Sequence, residues 1–172
     1  MGRPVAAVLE TPIAHALRIR EQPLIEGSMI DAEQPTASDL IGAWRLESWT
    51  LVYEDGRAPE YPLGSDAKGF ILYTTDGHVS ATLARARRQP FATGNFAEKA
   101  QAYDDSFAYA GRYAVRDGAV FHSIEVSTNP ALAGLTSTRH IMLDGNRLTL
   151  SGPDFLPNVP RFQRISWRRA SP

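Results

Sequence analysis

Four Asp-Gly dipeptides punctuate this chain of 172 residues, at positions 55–56, 76–77, 117–118 and 144–145. Each of them lies between two segments that are rich in β-branched or aromatic residues. Asp-Gly is typical of tight hairpin turns, because Gly has no Cβ that clashes at positive φ and Asp tolerates the left-handed region. The chain is therefore predicted to fold into consecutive antiparallel hairpins. Strands do not alternate with helices along the sequence, so a parallel sheet is not predicted.

Apolar and polar residues alternate beside these turns, as they do in half-buried strands. In a long first strand over 44–53, Trp44 and Leu46 share one face and Trp49 lies on the other; a last strand is predicted over 161–168. Three hairpins are predicted between them: 69–75 with 78–84, 107–115 with 119–127, and 137–143 with 147–150. These segments predict an all-β fold, an up-and-down antiparallel barrel of about eight strands, because closure leaves no exposed sheet edge.

One short helix interrupts the strands, over 95–105. Asn95 is predicted to cap it, with Glu98 completing a capping box, and its apolar side is predicted to pack on the barrel or to cover its mouth. Residues 1–37 lack strand alternation and are interrupted by prolines, so they are predicted to form a partly irregular N-terminal extension ahead of a barrel domain at 38–170. Met29 lies shortly before the regular part, and we hypothesise that it is the natural start.

Composition narrows the range of functions. A net charge of −1 gives the chain no attraction for nucleic acid or an acidic membrane, and 43% hydrophobic residues suffice for one core. The absence of cysteine rules out disulfides and thiolate chemistry and fits a cytoplasmic location, and the N-terminal apolar run is too short for a secretory signal. The histidines have no metal-ligand spacing, so no metal and no cofactor is predicted. The sequence leaves a homodimer open.

A short motif opens the first strand. Gly42-Ala43-Trp44 resembles the Gly-x-Trp signature of calycins, in which the Trp plugs the barrel base and an Arg of the last strand lies across it. The last strand offers three candidates for that cation: Arg164, Arg168 and Arg169.

Further segments extend this likeness in order along the chain. They are GAWRLES from Gly42, GFILYTTDGHVSA from Gly69, YAGRY from Tyr109, HSIEVS from His122 and WR from Trp167. Together they resemble the lipocalin-like domain family of bacteria and fungi, over roughly residues 39–169. The resemblance implies a small barrel around an internal cavity and a hydrophobic metabolite as ligand. Some related barrels are cofactor-free cyclases, isomerases or decarboxylases.

Aromatic residues on the expected inner faces indicate where a ligand would lie. Trp44 is predicted to close the base, and four more residues are predicted to contribute to the cavity wall: Tyr73, Tyr109, Tyr113 and Phe121. The first hypothesis is therefore that the protein binds one small apolar or aromatic metabolite inside the barrel.

Two other hypotheses stay open. If His122 points inward, His122 or Tyr113 would move a proton and Arg139 would steady an anion, as in a cofactor-free cyclase, isomerase or lyase. In a structural alternative, His122 donates to a strand carbonyl and Arg139 pairs with Glu125 outside the barrel. In the third hypothesis the barrel is solid and serves only as a scaffold.

Overall fold

The fold is known from a computed structural model, which describes residues 34–90, 93–154 and 161–170. Its elements in chain order are α1 (Ala37–Leu40), β1 (Gly42–Tyr53), β2 (Lys68–Tyr73), β3 (His78–Ala84), α2 (Phe96–Asp104), β4 (Ser106–Arg116), β5 (Ala119–Ser127), a 3-10 turn (Pro130–Leu132), β6 (Thr136–Asp144), β7 (Arg147–Pro153) and β8 (Arg161–Arg169). Each strand pairs antiparallel with the next, and β8 pairs with β1. The predicted eight-stranded up-and-down barrel is confirmed.

Most of the N-terminal extension lies outside the described residues, and Met29 lies there too. Its boundary with the barrel domain therefore stays a prediction.

The turns follow from the Asp-Gly dipeptides. Between β4 and β5, Asp117 and Gly118 have φ angles of 51° and 69°. Two successive positive φ angles are typical of the type I′ turn, whose twist matches that of the two strands it joins. The dipeptide at 55–56 differs, because it ends β1 without a hairpin and residues 57–67 separate it from β2.

The base of the barrel is closed by Trp44. Its side chain is fully buried, and its Nε1 donates to the Leu40 carbonyl of α1 at 2.8 Å. The Arg169 guanidinium lies 4.1 Å from the centroid of the Trp44 ring and donates to the carbonyls of Ile41 and Asp39, at 2.9 and 2.7 Å. Of the three arginines proposed from the sequence, Arg169 supplies the cation.

A β-bulge changes the course of β1. Its register against β8 shifts between Leu46 and Ser48, and one extra residue in a strand reverses which side chains face inward. Trp44 and Leu46 are buried before the bulge, whereas Leu51 is buried after it and Trp49 lines the interior. The unbroken alternation predicted over 44–53, which placed Trp49 outside, is wrong for this reason.

The helix α2 agrees with its predicted position and capping. The Asn95 side chain accepts from the Glu98 N–H at 3.0 Å, and Glu98 accepts from the Asn95 N–H at 2.9 Å. None of the helical residues is buried, and Phe96 is 92% exposed. The predicted packing of an apolar side of this helix on the barrel is therefore wrong.

Candidate functional site

The barrel encloses a cavity of about 20 Å³, close to the space that one water molecule needs. Most of its wall is apolar, formed by Trp49, Ile71, Ala81, Leu83, Phe107, Leu150, Ile165 and Trp167. The remaining wall is polar and consists of Tyr109, His122, Ser137, Arg139 and Gln163. An apolar enclosure with a few convergent polar groups is typical of small-molecule sites.

A histidine between two tyrosines forms one side of this polar group. His122 on β5 is 1% exposed, because it shares the inner face with the buried Val120 and Ile124. Its Nε2 lies 2.9 Å from the hydroxyl of Tyr73 on β2, and its Nδ1 lies 2.9 Å from the hydroxyl of Tyr109 on β4. Both ring nitrogens are thus engaged by side chains, and the alternative in which His122 donates to a strand carbonyl is wrong.

Burial keeps all three of these groups neutral. Loss of water contact, followed by the nearby charge of Arg139, lowers the pKa of His122 from 6.5 to about 3. Burial also raises the pKa of the Tyr109 hydroxyl and raises that of Tyr73 well above its ordinary value. A neutral imidazole carries one N–H, so His122 donates to one tyrosine and accepts from the other.

Arg139 on β6 places a guanidinium at the same cavity, although it is only 5% exposed. Its Nη1 donates to the carbonyls of Thr138 and Pro153, at 3.0 and 3.2 Å, and its Nη2 donates to Gln163 Oε1 at 3.4 Å. Gly152 on β7 leaves room for this group, because an added Cβ would lie 3.2 Å from Arg139 Nη1 and 2.5 Å from the Thr138 carbonyl oxygen.

A carboxylate lies beyond Gln163. Gln163 Nε2 donates to Asp154 Oδ1 at 2.6 Å, and Asp154 forms an ion pair with Arg161 at 2.5 Å. Asp154 also acts electrostatically on Arg139, whose pKa is lowered mainly by burial. The formal charges of Arg139, Arg161 and Asp154 therefore sum to +1.

Two aromatic rings separate the cavity from a second, outer pocket of about 240 Å³. Trp49 and Phe107 border both spaces, and their ring centroids are 6.0 Å apart. Leu51, Pro62 and Leu132 contribute apolar surface to the outer pocket. Gln163 also borders both spaces, so these three side chains form the wall between them.

Two indole groups at the cavity have unsatisfied donors. Trp167, which is 1% exposed, and Trp49 both line the cavity, and the Nε1 of each is buried without a hydrogen-bond partner among the described residues. A buried N–H group without an acceptor costs about 1–3 kcal/mol, so such groups are uncommon in folded proteins.

The residues proposed from the sequence separate into two groups. Tyr109, His122 and Arg139 line the cavity together, and Tyr73 reaches it only through His122. Because Arg139 points inward, the alternative in which it pairs with Glu125 on the surface is wrong.

Besides Tyr73, three more of the proposed residues do not line the cavity. Trp44 is confined to the base. Tyr113 donates to the Thr74 carbonyl at 3.0 Å and packs edge-on against Tyr73, with ring centroids 4.8 Å apart. Phe121 lies on the opposite face of β5 from His122, under the Arg116 guanidinium at 4.0 Å. Strand alternation turns Phe121 outward, so its assignment to the cavity wall is corrected.

Trp49, Gln163 and Trp167 were not proposed from the sequence. Gln163 and Trp167 are four positions apart in β8 and so lie on the same face of the strand. Strand periodicity is therefore a signal that could have identified them as lining residues. Trp49 has no such signal, because only the bulge in β1 turns it inward.

No three His, Asp or Glu side chains within the described ranges are grouped closely enough to hold a metal ion. Among those same residues, no helix is long and apolar enough to cross a membrane.

Comparison with known proteins found one family model and a solved structure to which the chain is similar. The family model described as "Lipocalin-like domain" matches residues 41–167. The chain is also similar to the crystal structure of a lipoprotein, YedD, from Klebsiella pneumoniae subsp. pneumoniae. The two sequences are 15% identical, the match covers 81% of this chain and 80% of that chain, and the TM-score is 0.36. No curated protein matches the chain.

Proposed function

Because the chain belongs to the lipocalin-like domain family, we propose that it binds one small molecule with an apolar or aromatic body inside the barrel. The observation that carries this proposal is the interior cavity, which combines a mainly apolar wall with Tyr109, His122 and Arg139. Such a wall gains free energy by removing apolar ligand surface from water, while the few polar groups select its orientation.

The size of the cavity sets a condition on binding. About 20 Å³ holds a water molecule but no metabolite, whereas the adjoining outer pocket has about 240 Å³. A ligand therefore keeps most of its body in the outer pocket and inserts one end into the barrel. Its entry requires the Trp49 and Phe107 rings to move apart, since both border the two spaces.

The polar groups argue against a barrel that serves only as a scaffold. A solid interior is more stable when it is filled with apolar side chains, because buried charges and unpaired donors carry desolvation costs. This interior instead contains Arg139, His122 and the Nε1 of Trp167, which has no hydrogen-bond partner among the described residues. A bound ligand could form hydrogen bonds with these buried groups, which a scaffold would leave unsatisfied.

A second candidate function is cofactor-free proton transfer, in a cyclase, isomerase or lyase. The observation that favours it is the hydrogen-bonded series Tyr73, His122 and Tyr109 beside Arg139. The electrostatics weigh against it, because the pKa of His122 is about 3 and its protonation at pH 7 would cost about 5 kcal/mol. The hydroxyl pKa values of both tyrosines are raised, so neither gives up a proton easily. We therefore rank binding first.

The test uses a cavity-filling variant and a matched surface variant on one strand. Ala81 lines the cavity, whereas its neighbour Thr82 is exposed on the outside of β3. Wild-type protein, Ala81→Leu and Thr82→Leu are each incubated with a metabolite extract of the native host, and the retained compounds are identified by mass spectrometry. Circular dichroism is used to check that each variant is folded, and Leu83→Phe provides a second cavity-filling change.

We expect wild type and Thr82→Leu to retain the same compound in roughly equimolar amount, and both cavity-filling variants to lose it. Equal retention by all four proteins would place binding outside the barrel and refute the proposal. If a compound instead disappears in large excess over protein while a new mass appears, the catalytic candidate replaces the binding one.

A further inference from the structure

The polar end of the cavity is rich in donors. Both ring nitrogens of His122 are engaged, Gln163 Oε1 accepts from Arg139, and Gln163 Nε2 donates to Asp154. The guanidinium of Arg139 and the indoles of Trp49 and Trp167 are donors only. Ser137 also lines the cavity, and its hydroxyl can both donate and accept.

The direction of the tyrosine–histidine hydrogen bonds adds another donor. Tyr73 is 2% exposed, and His122 is its hydrogen-bond partner among the described side chains. If His122 donated to Tyr73, the Tyr73 proton would be buried without an acceptor, which is unfavourable. Tyr73 therefore donates to Nε2, and His122 donates from Nδ1 to Tyr109. The hydroxyl proton of Tyr109, which lines the cavity, is then left without an acceptor among the described side chains.

Charge points the same way. Arg161 forms an ion pair with Asp154, and Arg139 is linked to the same carboxylate through Gln163, so the formal charges of these three side chains sum to +1. At a site that excludes most water, such a charge attracts an anion more strongly than it would on the surface. A cationic ligand group would be repelled, and a group that only donates hydrogen bonds would find few acceptors.

We propose that the polar end of this cavity binds a carboxylate, so that the ligand is a small aromatic or aliphatic carboxylic acid. The inference rests on the proposed function, because it names the chemistry of the end that enters the barrel. Two oxygens with several lone pairs can accept from the Tyr109 hydroxyl, the Arg139 guanidinium and an indole N–H. A carboxylate is also flat and smaller than a phosphate or sulfate group, so among these anions it requires the least enlargement of a cavity of about 20 Å³.

The test compares three head groups on identical bodies. Naphthalene-2-carboxylic acid and decanoic acid, their methyl esters, and the amines with the same carbon skeletons are titrated into the full chain by calorimetry. We expect the acids to bind at least about tenfold more tightly than the esters, because a hydrogen bond to a charged group is stronger than one to a neutral group. The amines are expected to bind most weakly.

Side-chain variants then locate the head group. Tyr109→Phe removes one hydroxyl and should weaken binding of the acids by about tenfold or more. Tyr103→Phe, at an exposed position of α2, is the matched control and should leave it unchanged. Arg139→Met should abolish the preference for acids over esters, whereas Arg139→Lys should keep part of it because the charge remains. The lysine variant separates loss of charge from loss of folding.

The outcomes distinguish this inference from the proposed function. Equal affinity for acids and esters, or unchanged preference in both Tyr109→Phe and Arg139→Met, would overturn the carboxylate assignment and leave binding inside the barrel intact. If calorimetry detects no binding heat for any compound of the series, the carboxylate assignment is overturned as well. In that case the retention experiment with Ala81→Leu decides separately whether the barrel binds any molecule.

Discussion

Acidification should destabilise the barrel through His122. The pKa of this imidazole is lowered from 6.5 to about 3 by burial and by the charge of Arg139. Between those values the unfolded chain binds a proton at this position and the folded chain does not. Stability from neutral His122 is therefore complete above pH 6.5 and is lost as the pH falls toward 3.

The size of the effect follows from the two pKa values. Between pH 7.5 and 5.0, protonation of His122 in the unfolded chain lowers the free energy of unfolding by about 2 kcal/mol. The exposed carboxylates Asp39, Asp55 and Asp76 contribute little to the change in stability within this pH window. Hydrogen bonds from Thr36, Arg57 and Thr74, respectively, lower their pKa values below 3.8, so their contributions are lost mainly at pH values below the window.

Urea unfolding followed by circular dichroism at pH 7.5 and 5.0 measures this loss. We expect wild type and His140→Gln, a change at an exposed position of β6, to lose the full amount. His122→Gln should lose less than about 0.5 kcal/mol, because an amide can donate and accept but does not titrate in this range. If His122→Gln loses as much as wild type, the burial of a neutral imidazole is not the cause and the reasoning fails.

Two further predictions concern stability at neutral pH, and both use the same unfolding assay. Arg169→Met should lower the free energy of unfolding by about 3 kcal/mol, because it removes two hydrogen bonds to carbonyls and the cation over the Trp44 ring. The control Arg168→Met removes an exposed ion pair with Glu47 and should lower it by less than about 1 kcal/mol. Similar losses in the two variants would contradict the role given to Arg169. Gly152→Ala should lower the free energy of unfolding by about 1–3 kcal/mol, because its Cβ would lie 2.5 Å from the Thr138 carbonyl oxygen and would press on Arg139. The control Ser151→Ala should change it by no more than about 0.5 kcal/mol. An unchanged Gly152→Ala protein would show that the two strands can separate there at no cost.

Local sequence was sufficient to predict the barrel. An Asp-Gly dipeptide and the alternation beside it depend on the backbone preferences of a few adjacent residues, so they can be interpreted without any knowledge of distant contacts. The same holds for the Asn95 cap of α2, which involves residues three positions apart. Strand periodicity could also place His122 and Phe121 on opposite faces of β5, although it could not by itself show which face was inside.

Most of the candidate site depended on contacts between distant segments. The bulge that turns Trp49 inward is a mismatch between β1 and β8, and the sequence of β1 alone contains no sign of it. Tyr73, Tyr109 and His122 come from three strands whose side chains meet only when the barrel closes. The inward position of Arg139 depends on the space over Gly152, on the neighbouring strand.

The chain by itself thus determined the number of strands and their order, because both depend on turns and alternation, whereas the plug at the base was implied by the resemblance of one short motif to the calycin signature. Tertiary structure alone decided the lining of the cavity and the direction of its hydrogen bonds. The physical reason is that strand alternation specifies faces only relative to one another. Closure of the sheet, with its bulges, then decides which face loses contact with water, and that loss keeps His122, Tyr73 and Tyr109 neutral.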